Sequence, residues 1–162
     1  MKSSGKRFEE NFKKSIPKDI FYYRLRDGSS SWGGNSNVRF QATNICDCLI
    51  FDGDVLYTLE LKSTKAKSLP YTNIKRHQIN DLLWCSEFAN VISGFVIEFD
   101  TLNECYFVEI NRFKDFYDNN NRKSLPIDYC RKNGIKIEIT KLKTNRRFNI
   151  EKFLNDCVKE LI

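Results

Sequence analysis

Two apolar runs rich in β-forming residues, 45–51 and 55–63, meet at Asp52-Gly53-Asp54. Such a junction predicts a β-hairpin, because glycine supplies the positive φ of a tight reversal and aspartate tolerates it. Side chains alternate along a strand, so Glu60 and Lys62 share one face with Thr58, while Tyr57, Leu59 and Leu61 take the other. The turn centre lies about midway between Asp47 and Glu60, which sets the two carboxylates beside each other. An acid within the run Ile45 to Ile50 is costly unless something compensates for it.

The surrounding pattern supplies the rest of a sheet. Phe8, Phe12 and Ile16 are spaced by four and predict an amphipathic helix ending before Pro17. Residues 19–28 read as a short aromatic strand running into a turn. Residues 28–37, GSSSWGGNSN, are too polar to pack and form either a flexible loop or one ordered by a ligand. A helix over 73–90 follows, with Ile79, Leu82, Leu83 and Ser86 inward. Two buried strands, 91–99 and 104–110, pair through a turn near Asn103. Asn111 is placed to cap a short helix carrying Phe113, Phe116 and Tyr117. Residues 135–142 alternate as one half-exposed strand, and a stripe from Ile150 to Leu161 predicts a last helix. This order fits an α/β (α+β) fold, a mixed β-sheet flanked by helices, in one domain over 1–162.

Composition narrows the function. No apolar run approaches the ~20 residues of a membrane span, and the polar start, MKSSGKRFEENFKK, lacks a signal-peptide core. A cytoplasmic protein without a membrane partner is expected, in a bacterium or in the host of a phage. Six cysteines sit mostly in apolar segments with no CxxC pair, which suits reduced core residues. Cys46 and Cys48 point to one face of a strand, and a single histidine serves zinc poorly. The net charge of +6 favours a polyanionic partner where the basic residues cluster.

They cluster next to the carboxylates. Lys65, Lys67, Lys75, Arg76, His77 and Gln78 follow Glu60-x-Lys62 directly. Two carboxylates held together repel, which favours a divalent cation between them; oxygen ligands suit Mg²⁺, with Mn²⁺ as substitute. An adjacent lysine stabilises charge on a phosphate. Asp47, Glu60 and Lys62 thus form a minimal kit for phosphodiester hydrolysis. The bland alternative is an exposed ion pair beside a turn, which a bare D…ExK string supports as well. Arg24 and Arg26 share a strand face and either grip phosphate or are simply exposed. Ser30, with its neighbours Ser29 and Ser31, offers hydroxyls to a DNA backbone, and Trp32 either stacks on a base or packs back. Lys141, Lys143, Arg146 and Arg147 form a second basic cluster that either flanks DNA or is solvated.

The ELKST and SLPYTNIKRHQI segments, with the Asp47 to Glu60-x-Lys62 spacing, resemble the RecU-type Holliday junction resolvases of the PD-(D/E)xK nuclease superfamily. The likeness runs from GKRFEENF to GFVIEF and CYFVEI. It implies a restriction-endonuclease-like fold, a homodimer, and paired Mg²⁺-dependent nicks in four-way DNA during recombination and repair. It also implies metal binding by Asp47, Glu60 and Gln78, transition-state support from Lys62, and a cluster-completing acid at Glu9, with Glu10 competing for that role. Ile45 stands where the family pattern has threonine, so a ligand at 45 is absent. The 27–46 region is shorter than the family's stalk, so junction selectivity is weaker or built differently. The rivals are a nuclease of linear or single-stranded DNA, an inactive DNA-binding module of the same fold, and an interaction protein whose basic faces are incidental.

Overall fold

The structure, a computed structural model, describes residues 2–26 and 43–162. Ser30, Trp32 and the expected loop at 28–37 lie outside the described residues. Six strands form the main sheet in the order β1-β2-β3-β5-β6-β8. These are β1 Phe21–Arg24, β2 Cys48–Phe51, β3 Leu56–Thr64, β5 Val91–Phe99, β6 Glu104–Glu109 and β8 Ile135–Lys136. Only β3 and β5 run parallel; the other neighbours are antiparallel. A parallel pair requires a crossover, and α2, Arg76–Ser86, lies within it. The sheet is therefore mixed, as expected.

Helices cover both faces. On one side α1 (Ser4–Ser15) and α5 (Ile150–Leu161) bury Phe8, Phe12, Phe153, Leu154 and Cys157 against Ile50, Tyr57, Leu59 and Phe107. Phe8 meets Phe148 edge-to-face at 5.5 Å, a geometry that adds to simple area burial. On the other side α2, α3 (Ile110–Asp118) and α4 (Ile127–Asn133) pack Ile79, Leu82, Phe113 and Cys130 against Phe95, Ile97 and Val108. The central strands are thus covered on both faces, which leaves a polar side chain in β3 dependent on specific partners.

The hairpin forms at the expected turn. Gly53 has φ +109°, and Asp52 Oδ1 accepts from the Asp54 and Val55 amides at 3.0 and 2.9 Å. Several expected boundaries shift. The β2 ladder begins at Cys48 rather than 45, and α2 is shorter than 73–90 at both ends. Because Cys46 precedes the ladder, strand alternation does not reach it: Cys46 packs in the α2-side core and Cys48 in the α1-side core, not on one face. All six cysteines are free and buried. The N-cap of α3 is Glu109, whose carboxylate accepts from the Asn111 and Arg112 amides, and not Asn111.

The alternating stretch at 135–142 is two strands. Ile135 pairs with Phe107 and the Ile137 amide donates to Cys105 O, both in β6, after which the chain bends away so that β9 (Ile139–Lys141) pairs with β10 (Arg146–Phe148). Two Ser-Leu-Pro segments, β4 (Ser68–Pro70) and β7 (Ser124–Pro126), pair with each other in a small separate sheet. No helix among the described residues is long and apolar enough to cross a membrane.

Candidate active site

Strand β3 aims Thr58, Glu60 and Lys62 at the α2 side and Tyr57, Leu59 and Leu61 at the α1 side. Glu60 is only 3% exposed, so its charge needs partners, and two groups supply them. Gln78 Nε2 donates to Glu60 Oε1. Lys62 Nζ lies 3.1 Å from the same oxygen and donates to Gln78 Oε1, also at 3.1 Å. The Lys75 amide donates to that Gln78 oxygen at 2.9 Å. Gln78 sits in the first turn of α2 and caps it through this bond, so one side chain fixes the helix start and the Glu60–Lys62 pair together.

Asp47 reaches the site from the end of β2. The β2–β3 ladder ends where Cys48 pairs with Leu59, and Asp47, the next residue out, lies beside Glu60. Had the ladder continued, the Leu61 amide would face Cys46. Instead the chain departs and Asp47 Oδ2 accepts from Leu61 N–H at 2.8 Å. Its main chain stays bonded on both sides, to Leu59 O at 3.1 Å and from Leu25 N at 3.0 Å. Burial first, and the like charge of Asp47 next, push the Glu60 carboxyl up to about 7 against the pull of Lys62. Two crowded carboxylates with hard oxygen donors and a lysine alongside form a set that fits an oxygen-seeking divalent cation. Among the described residues, no group of three His, Cys, Asp or Glu side chains gathers around one point. Asp47 and Glu60 are the carboxylate pair, and Gln78 Oε1 is here occupied by Lys62 and the Lys75 amide.

The other residues singled out in the sequence fall in two places. Glu9, on α1, pairs with Arg24 at 2.6 Å, and among the described residues it does not join Asp47 and Glu60 in one cluster; Arg24 registers with Cys48, the residue after Asp47. Arg26 is exposed and its carbonyl accepts from Asn44 Nδ2 at 2.7 Å. Lys65 and Lys67 are exposed in the turn after β3, Lys75 and Arg76 are exposed at the start of α2, and His77 is half-buried beside them. Exposed cations therefore flank Lys62 on two sides, at the positive end of a helix dipole.

Sequence reasoning missed the two main-chain donors, Leu61 and Lys75, that orient Asp47 and Gln78. It also missed a second polar cluster on the opposite face of the sheet. Glu98 is 1% exposed, accepts from Ser63 Oγ at 2.8 Å and pairs with Arg146 at 2.7 Å. The signal was available: Glu98 is an isolated acid in an apolar strand, as Asp47 is. Its partner lies 48 residues away, beyond any local pattern.

A mixed sheet whose central strand carries an acid-x-lysine pair toward one helix start defines the restriction-endonuclease-like class. The chain belongs to the recombination protein U (RecU) family, whose model matches residues 7–155. It is 32% identical to the SPbeta prophage-derived uncharacterized protein YotM of Bacillus subtilis (strain 168), over 98% of this chain and 88% of that one. It is 34% identical to the Holliday junction resolvase RecU of Streptococcus pyogenes serotype M1, over 60% of this chain and 49% of that protein. The chain thus spans about half the length of that resolvase. The solved structure of Archaeoglobus fulgidus Hjc, a Holliday junction resolvase, shares the fold with a TM-score of 0.50 at 14% identity, covering 82% of this chain and 95% of that one.

Proposed function

We propose that the protein is a Mg²⁺-dependent endonuclease that resolves four-way DNA junctions by paired nicks. The observation that carries this reading is the joining of Asp47, Glu60, Lys62 and Gln78 at one end of α2. Asp47 and Glu60 would hold the ion, and Mn²⁺ would substitute; Gln78 Oε1, already taken by Lys62 and the Lys75 amide, would position Lys62 rather than serve as a third oxygen donor. Bound there, the ion supplies Lewis-acid stabilisation of a phosphodiester and a more acidic water.

The chain's own groups do the rest. Gln78 holds the Lys62 ammonium in place, where its charge offsets the negative charge that builds on the phosphate as the phosphorus–oxygen bond breaks. The Leu61 amide fixes the Asp47 carboxylate. Arg26, Lys65, Lys67, Lys75, Arg76 and His77 hold the DNA backbone beside the site, with Arg24 and Ser30 as further contacts. Such cations bind phosphate without reading sequence, so binding weakens steeply with salt. A four-way junction has two-fold symmetry, and two nicks require two sites, which a homodimer provides.

The test uses labelled four-way junction and linear duplex of matched sequence, with Mg²⁺ or EDTA. Symmetric Mg²⁺-dependent nicks in the junction alone support the reading. Equal cutting of both substrates would leave a nuclease without junction selectivity. Tight junction binding with no cutting at all would mark an inactive binding module.

A further inference from the structure

A cleft of about 300 Å³ lies on the α1 side of the sheet, between α1 and the turn joining β9 to β10. Its walls carry Arg7, Asn11, Thr101, Lys141, Lys143 and Asn145, and its floor is tied by ion pairs. Arg146 Nη1 bridges Glu98 at 2.7 Å and Asp100 at 2.6 Å, and Arg7 Nη2 holds both Asp100 oxygens at 2.8 Å. Those two arginines are therefore answered by those two acids. Lys141 and Lys143 have no ion pair among the described residues, so the cleft keeps two uncompensated positive charges.

Asn11 supplies an independent sign of a ligand. The residue is only 3% exposed and lines the cleft, yet its side-chain amide makes no hydrogen bond among the described residues. Its amide atoms open onto the cleft instead of being sealed inside the protein, and so face a basic hollow that also holds the amide of Asn145. Two ammonium groups and the amide N–H donors of Asn11 and Asn145 suit the oxygens of a phosphate.

The cleft is also within reach of the active site. Thr101 Oγ1 donates to the Lys65 carbonyl at 2.8 Å, and Lys65 lies three residues beyond Lys62. That is about 10 Å along a strand, the axial span of about three nucleotides in one strand of a duplex.

We propose that this cleft is a second phosphate-binding site, which grips the backbone of the same DNA after it passes the end of β3 to the α1 side of the sheet. The proposal rests on the nuclease reading above. It removes Arg146 from the exposed basic cluster expected at 141–147 and makes it the part-buried anchor of the hairpin, leaving Lys141 and Lys143 to meet the ligand.

Binding of a fluorescent duplex and a four-way junction is measured over a salt series for the full chain, K141A/K143A and N11D, with circular dichroism confirming the fold. The expected result is affinity about tenfold lower at low salt in K141A/K143A and a salt slope smaller by about 2. N11D, which adds a carboxylate at almost unchanged volume, also weakens binding. Unchanged affinity and slope in both variants, with wild-type binding intact, would overturn the second site alone. Absence of DNA binding by the wild type would overturn the nuclease reading, and this one with it. In a parallel arm, nuclear magnetic resonance follows the Asn11 side-chain amide with inorganic phosphate and with a DNA oligonucleotide. A shift with DNA supports the proposal; a shift with phosphate but none with DNA would reassign the cleft to a free anion and overturn it.

Discussion

Glu60→Gln should stabilise the metal-free protein at neutral pH while destroying its chemistry. Glu60 is buried beside Asp47, and its carboxyl is raised from the ordinary 4.5 to about 7. The folded protein therefore holds that proton more tightly than the unfolded chain does. The resulting stability is fully present below pH 4.5 and is lost as pH rises through about 7. Each tenfold change in proton affinity is worth about 1.4 kcal/mol, so the wild type loses roughly 3 kcal/mol across this window. Glutamine mimics the neutral form and escapes the loss. Urea unfolding in EDTA at pH 4.5 and pH 8 measures the gap between the two proteins. It should be near zero at the lower pH and roughly 3 kcal/mol in favour of E60Q at the higher. Adding a divalent cation at pH 8 should restore the wild type and leave E60Q unmoved. A gap of the same size at both pH values would refute the reasoning, because it would show that Glu60 keeps its ordinary proton affinity in the folded protein.

Three further outcomes are expected. Arg146→Met strips Glu98 of its buried partner and should cost about 3–5 kcal/mol in urea unfolding; a cost below 1 kcal/mol would mean that Glu98 is compensated otherwise. Gln78→Leu frees Lys62 from its 3.1 Å bond and should lower the nicking rate about 10- to 100-fold with the fold retained; a wild-type rate would deny the positioning role. The Arg131 hydrogen bond holds the Glu104 carboxyl at about 2, below its ordinary 4.5. That contribution is present above 4.5 and lost as pH falls toward 2, so Arg131→Ala should move the acid-unfolding midpoint to higher pH, as followed by circular dichroism.

Features governed by local rules were readable in the sequence. The Asp52-Gly53-Asp54 turn and strict alternation set Asp47 near Glu60, because a hairpin's turn dictates its register. The helical stripes of Phe8–Phe12 and Ile150–Leu161 were equally direct. What escaped depends on partners distant in the chain. Residues 135–142 alternate continuously, yet the pattern does not reveal that its halves join different sheets. The pairing of the two Ser-Leu-Pro segments involves three residues each, too few to register as strands. Cys46 and Cys48 obey alternation only if both lie in the ladder, and the ladder starts between them. Arg146 looked like one more surface cation because nothing near it in sequence announces Glu98. At the candidate site the residue types were legible, but the Gln78 bridge between Glu60 and Lys62 follows from where α2 begins, which the 73–90 pattern left open.

The most direct test of the active site itself is single-turnover nicking of a four-way junction in Mg²⁺ by the wild type, Asp47→Asn, Glu60→Gln and Lys62→Ala, with junction binding measured in parallel. Loss of at least ~10²-fold in rate for each variant, with affinity largely retained, is the predicted result. Wild-type rates in Asp47→Asn and Lys62→Ala would contradict it and place the chemistry elsewhere in the chain.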